Sequence, residues 1–144
     1  MFCNFYFGGY SDFSELKISV ARLFQDVDIT ETDDNLTISS DGFTLSIKEG
    51  GYGVMFASED YDIELKFSGY IDIIVSHTNW AYELMVFIGT LLNEMDGDCI
   101  LELNDKSILL RKDNVITVDD KKLSGTVNFP FYGLGLVYQI GDIA

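Results

Sequence analysis

Apolar side chains recur at spacings of three and four in residues 78–97, and this pattern predicts an amphipathic helix around which the rest of the chain is arranged. Thr78 or Asn79 can cap its N-terminus by accepting a hydrogen bond from a free backbone N–H. Gly97 can follow its C-terminus, because glycine takes the left-handed conformation without steric cost. The apolar stripe consists of Ala81, Leu84, Met85, Ile88, Leu91, Leu92 and Met95.

The same spacing predicts a second amphipathic helix over residues 11–25. Asp12 and Glu15 have the spacing of a capping box at its beginning. Lys17 and Arg22 fall outside the apolar stripe, so we expect both side chains to face solvent. The stripe consists of Phe13, Leu16, Val20, Leu23 and Phe24.

Alternation of apolar and polar residues, together with runs of β-forming residues, predicts a series of strands. Residues 61–67 alternate most regularly, and we expect Gly69 to separate them from an apolar run at 70–75. Asp41-Gly42 is the strongest hairpin signal, and residues 54–57 are a further short strand by this pattern. The remaining predicted strands are 2–7, two pieces within 26–40, 43–47, 99–103, 107–112 and 115–118.

The C-terminal part of the chain is apolar and aromatic without a regular period. Residues 119–125 are predicted to form a charged loop. Within 126–140, Pro130, Gly133 and Gly135 disfavour a regular helix, so we predict bent edge strands or packed coil there.

The length and the order of these elements indicate the fold class. A chain of 144 residues can bury a sizeable core as one domain. Short connections favour antiparallel pairing of neighbouring strands. We therefore predict a single α+β domain over residues 1–144, with a curved, mainly antiparallel sheet and two amphipathic helices packed on one face.

Charge narrows the choice of partners. The net charge is −15, and the first 77 residues hold 14 Asp and Glu against 4 Lys and Arg. Such a surface repels phosphate backbones and anionic lipid, so we expect neither nucleic-acid nor membrane binding. It would instead steer a basic protein partner towards the molecule. Simple solubility explains the same charge without any partner.

Two acidic runs and two aromatic residues are the candidate partner-binding residues. Solvated strand and turn residues are the simpler interpretation of the acidic runs. Core packing is the simpler interpretation of the aromatic pair. As docking residues, the acids would attract a basic protein and the aromatics would supply close contacts. The candidates are Asp26, Asp28, Glu31, Asp33, Asp34, Glu59, Asp60, Asp62, Phe131 and Tyr132.

No catalytic, metal or cofactor-binding residue can be named from the sequence. His77 is the only histidine, and it stands at a strand-to-helix junction without a recognisable nucleophile. Asp96-Gly97-Asp98 lacks the alternating acids and the final glutamate of a calcium loop. Residues 50–53 are rich in glycine, but no Gly-Lys-Ser/Thr follows them, as a phosphate loop requires.

The two cysteines indicate the cellular compartment of the protein. Cys3 and Cys99 make neither a disulfide framework nor a zinc site, and they fit a reducing compartment as small core residues. The N-terminus also lacks the basic and apolar regions of a signal peptide. We therefore expect a cytoplasmic protein.

Residues 61–113 resemble the Sit-type immunity proteins of bacteria, which accompany secreted or contact-delivered toxins. The resemblance lies in the alternating residues 61–67, in Trp80 with residues 84–86, in the Gly-Asp turn and strand of 97–105, and in the Leu-Leu-Arg end of 108–111. It implies a small cytoplasmic antitoxin that binds and neutralises a cognate toxin without catalysis. A basic toxin would suit the acidic chain.

Two other functions remain open. A sheet that packs on a helix can enclose an aromatic pocket, so the chain can be a small-ligand-binding domain. An enzyme would have to use His77 or a pair of carboxylates. A homodimer through the C-terminal edge is compatible with each of these functions.

Overall fold

The chain, in a computed structural model that describes residues 1–123 and 129–144, forms three α-helices and nine strands within those ranges. In chain order these are β1 Phe2–Phe7, α1 Phe13–Leu23, β2 Asp28–Glu31, β3 Leu36–Ser39, β4 Phe43–Glu49, α2 Tyr52–Tyr61, β5 Phe67–Ile73, α3 Trp80–Asn93, β6 Cys99–Leu103, β7 Lys106–Lys112, β8 Val115–Val118 and β9 Gln139–Ile140. Short 3₁₀ turns span Asp120–Leu123 and Phe131–Leu134.

All nine strands belong to one open sheet with the order β2-β3-β4-β5-β1-β6-β7-β8-β9. The first strand of the sequence lies at its centre, hydrogen-bonded to β5 on one side and β6 on the other. Every pairing is antiparallel except that of β8 with β9. The predicted α+β class and the mainly antiparallel sheet are therefore confirmed.

Helices α1 and α3 cover the same face of the sheet, as predicted. The odd-numbered side chains of β1, namely Cys3, Phe5 and Phe7, are buried in one hydrophobic cluster with the stripes of both helices. Helix α1 begins as predicted, because the Asp12 carboxylate accepts a hydrogen bond from the Glu15 backbone N–H at 2.8 Å.

Helix α2 covers the opposite face, and the prediction of a strand at residues 54–57 is wrong. Val54 and Ala57 pack with Ile100, and the partly buried Tyr6 joins this second cluster. Tyr6 alternates with the β1 residues of the first core, so its side chain lies on the other face of the sheet. The sequence of α2 shows no clear helical period, because residues on its outer side are apolar as well.

The predicted strand at 61–67 begins only at its last residue. Tyr61 ends α2, and Asp62 follows it with a left-handed φ of 53°. Ile63 and Leu65 are nevertheless buried between exposed neighbours, so the alternation of burial is confirmed although the strand is not. Gly69 does not break the strand: it lies within β5, where a β-carbon would be 3.1 Å from the Phe5 carbonyl oxygen.

The predicted hairpin at Asp41-Gly42 is confirmed. Asp41 and Gly42 connect β3 to β4, and the Ser40 N–H donates to the Phe43 carbonyl at 2.9 Å. The turns at 104–105 and 113–114 have positive φ at both residues, as two-residue turns between twisted antiparallel strands require.

The tail is packed coil with one short edge strand over the part that the structure describes. The turn Phe131–Leu134 packs on α3, and β9 pairs with β8. Asp120–Leu123 forms a 3₁₀ turn within the predicted charged loop. Residues 124–128 of the predicted loop and tail lie outside the described residues.

Candidate docking groove

The first acidic run is wholly exposed along one edge of the sheet. Asp28 and Glu31 lie on edge strand β2, Asp33 and Asp34 in the turn to β3, and Asp26 in the connection from α1. Strand β2 ends the sheet, and all five of these side chains are exposed.

The other candidates lie on different elements. Glu59 and Asp60 are exposed in the last turn of α2, and Asp62 follows that helix. Phe131 is only 5% exposed, whereas Tyr132 is 71% exposed. The ring of Phe131 packs against that of Phe129 at a centroid distance of 4.8 Å, so it holds the tail in the core. The candidates therefore do not form one continuous patch.

A cleft of about 420 Å³ lies between the end of α1, the connection to β2 and the outer side of α3. Its floor is aromatic. The rings of Phe24 and Phe87 stack with their centroids 4.2 Å apart, and the ring of Phe43 meets Phe87 edge-on at 5.6 Å. The other apolar lining residues are Leu23, Val27, Tyr82 and Val86.

A second cleft of about 360 Å³ adjoins the first and shares Asp26, Val27, Ser40 and Glu83 with it. Four carboxylates line it: Asp26, Asp28, Asp41 and Glu83. No Lys or Arg is among the described residues that line either cleft. We call the two clefts together the acidic groove. Carboxylates grouped at a concave, partly apolar surface focus a negative potential there.

Asp41 and Glu83 are groove residues that sequence reasoning missed. Asp41 belongs to a hairpin turn and Glu83 to the first turn of α3, so each has a local structural explanation. The hairpin and α3 approach closely because Gly42 has no side chain: a β-carbon there would be 2.8 Å from the Trp80 Cα. That closeness is a tertiary feature without a signal in either segment alone.

His77 lies beside the acidic groove, where it contacts Glu83 and the start of α3. Its Nε2 lies 2.6 Å from the Glu83 Oε2. Its backbone forms the turn into α3, with the His77 N–H donating to Ile74 and the Trp80 N–H donating to His77. Among the described residues, no group of three or more His, Cys, Asp or Glu side chains has the arrangement of a metal site.

The two thiols are buried away from the groove. Burial raises the pKa of both Cys3 and Cys99 to about 12. The nearby Arg111 guanidinium opposes this rise at Cys99, but burial dominates. Because the thiolate is the reactive form, both cysteines are poor nucleophiles at neutral pH.

A third cleft, of about 440 Å³, lies where polar groups of several segments meet. Its Asp98 carboxylate accepts hydrogen bonds from the Glu64 and Asp113 backbone N–H groups at 3.2 and 3.3 Å. Lys66 donates across it to the Ser11 carbonyl at 2.6 Å. These polar groups already serve the fold, so this cleft is a weaker candidate than the acidic groove.

Comparison with known proteins finds no matching family model and no significantly similar curated protein or solved structure. The resemblance to immunity proteins therefore stays a prediction.

Proposed function

We propose that this protein is a non-catalytic protein-binding inhibitor, an immunity protein that binds and neutralises a cognate basic bacterial toxin in the cytoplasm. The acidic groove is the observation that carries the proposal, because it joins an aromatic floor to a carboxylate wall, with no Lys or Arg among the described residues that line it. The net charge of −15 and the resemblance of residues 61–113 support the same function.

The chemistry of the groove favours an arginine-bearing segment of the partner. A guanidinium stacks on aromatic rings and pairs with carboxylates in a planar, two-pronged geometry. Phe24 and Tyr82 offer rings beside Asp26 and Glu83. The surrounding acids would mainly raise the association rate, whereas contacts on the aromatic floor would slow dissociation. Stoichiometric inhibition by occlusion needs nothing more from this chain.

The experiment is co-expression with the product of the neighbouring gene, followed by binding measurements with Asp28→Lys and Asp34→Lys variants. Both substitutions change the charge equally at exposed positions of the same edge, but only Asp28 lines the groove. We expect Asp28→Lys to weaken binding by about tenfold or more and Asp34→Lys by about twofold. Thermal stability should change little in both variants.

Two results would contradict the proposal. Absence of both a complex and rescue from toxicity would remove the inhibitory function. Equal losses for Asp28→Lys and Asp34→Lys would leave the acidic surface in place but remove the groove as the docking site.

A small-ligand-binding domain is the second candidate, because the aromatic cleft of about 420 Å³ is within the usual size range of ligand pockets. Native mass spectrometry of the purified protein tests it. A co-purified compound that is lost in a Val86→Trp variant would favour ligand binding, since Val86 lines the cleft at the surface of α3. Protein free of any compound would favour the inhibitor.

A further inference from the structure

Helix α2 carries apolar side chains on its outer side as well as against the sheet. Val54 and Ala57 are buried in the second core cluster. Tyr52, Met55 and Phe56 are 79%, 47% and 56% exposed. The rings of Tyr52 and Phe56 stack with their centroids 6.4 Å apart. A grouped, exposed apolar stripe of this kind is typical of an interaction surface.

The charges at the two ends of α2 are the opposite of those that stabilise a helix. The Lys48 Nζ lies 4.0 Å from the place of a β-carbon on Gly51, the N-cap residue. Glu59 and Asp60 lie in the last turn, and no basic residue is there. A helix is positive at its N-terminus and negative at its C-terminus, so both ends are unfavourable within one copy. Within the two described ranges, no ion pair involves these three charged residues.

We propose that α2 is the contact surface between two copies of this chain, packed antiparallel about a twofold axis. In that arrangement the acidic end of each α2 meets the positive N-terminus and the Lys48 of the other copy. The stripe of Tyr52, Met55 and Phe56 from each copy packs at the centre. A second copy therefore matches both the apolar and the charged parts of the surface. A uniformly basic partner would instead repel Lys48.

The size of the stripe sets the strength of association. A fully covered aromatic side chain buries about 150–250 Å², so the stripe contributes a few hundred Å² per copy. A stable interface needs about 800 Å² per partner. The net charge of −15 on each copy also opposes association. The dimer is therefore weak and reversible.

A charge swap, followed by analytical ultracentrifugation over a range of concentrations, tests the proposal. Lys48→Glu and Glu59→Lys should each weaken dimerisation by about tenfold, because each brings like charges together across the twofold axis. The double variant restores opposite charges at both contacts and should return to within about threefold of the wild type. Each single substitution suits the dipole of its own helix, so neither should lower the thermal stability.

Two variants provide matched controls. Arg22→Glu on α1 and Asp34→Lys in the β2–β3 turn make the same charge changes on elements away from α2, and they should leave the equilibrium within about twofold. A wild-type chain that is monomeric at every concentration, or a double variant as weak as the single variants, would overturn the proposal. The proposal is independent of toxin binding, because the acidic groove is built by the helices on the other face of the sheet.

Discussion

At the scale of single residues, Arg111 is the most informative side chain. Its guanidinium is buried and donates to the backbone oxygens of Leu92, Met95 and Gly97 at 2.8, 2.6 and 2.7 Å. Helix α3 ends at Asn93, so its last carbonyls have no partner within the helix. The negative end of α3 also compensates the buried positive charge. The prediction that Gly97 ends the helix in a left-handed conformation is wrong, because Glu94 is the C-cap residue and Gly97 does not have a positive φ.

Arg111→Met should destabilise the protein by about 3 kcal/mol, because the carbonyl groups of Leu92, Met95 and Gly97 each lose a hydrogen-bond donor at a buried position. Urea unfolding measures the change. Lys112→Met is a matched control, since Lys112 is half-buried and makes a single hydrogen bond of 3.2 Å to the Tyr61 carbonyl. We expect that control to lose less than about 1 kcal/mol. Equal losses in the two variants would show that the three carbonyl contacts add nothing.

At the scale of elements, the attachment of the tail to α3 depends on a glycine. Gly89 lies within α3, and a β-carbon there would be 2.7 Å from the Leu134 Cα and closer still to its carbonyl oxygen. Phe131 and Leu134 of the crossing turn are buried. Glycine weakens a helix, so its presence inside α3 reflects the close approach of the tail.

Gly89→Ala should therefore destabilise the protein by about 1–3 kcal/mol, since backbone atoms cannot move aside as a flexible side chain can. In an exposed helix the same substitution would stabilise by about 1 kcal/mol, so the sign of the change is diagnostic. Thermal unfolding gives the sign, and hydrogen exchange should show faster opening at residues 131–134. Thr90→Ala, one residue along on the half-exposed side, should leave that exchange unchanged. A stabilised Gly89→Ala variant would refute the tight crossing.

At the scale of the whole molecule, the many acids remain compatible with folding because most of them are exposed. Glu102 on β6 is half-buried and departs from this pattern. Burial raises the pKa of its carboxyl, and the charges of Asp105 and Asp60 raise it further. The ionised form of Glu102 is therefore less favourable in the folded state than in the unfolded state.

Glu102→Gln should increase stability at neutral pH by less than about 1 kcal/mol, since solvent screens a half-exposed group. A raised folded-state pKa means that the folded state binds the proton more tightly, so wild-type stability rises as the pH falls through that pKa. The stability difference between Glu102→Gln and the wild type should therefore shrink as the pH falls, and it should vanish below the ordinary pKa of glutamate. Thermal unfolding across pH measures it, with the exposed Glu31→Gln as the control. A gain that does not depend on pH would contradict this electrostatic cause.

Much of the fold follows from short-range patterns in the sequence. Periodicity and a capping aspartate determine helix α1, and periodicity determines helix α3 and strand β1. Turn residues determine the hairpins β3–β4, β6–β7 and β7–β8, and in the last two these residues have positive φ. Each of these signals acts over a few residues, so it can be read before the chain is folded.

Tertiary structure decided the rest. Helix α2 forms where it covers the second face of the sheet, and its apolar outer stripe hides the helical period. Residues 62–66 alternate in burial although they lie outside β5, because an extended chain has the same two-residue period within a strand and outside one.

The acidic groove shows the same division. The sequence alone predicted an acidic surface that includes Asp26 and Asp28. Only the packing of the β3–β4 turn against the start of α3 added Asp41 and Glu83 to the same wall. The physical reason is that charge belongs to the composition of a chain, whereas a concave surface needs segments far apart in sequence to meet.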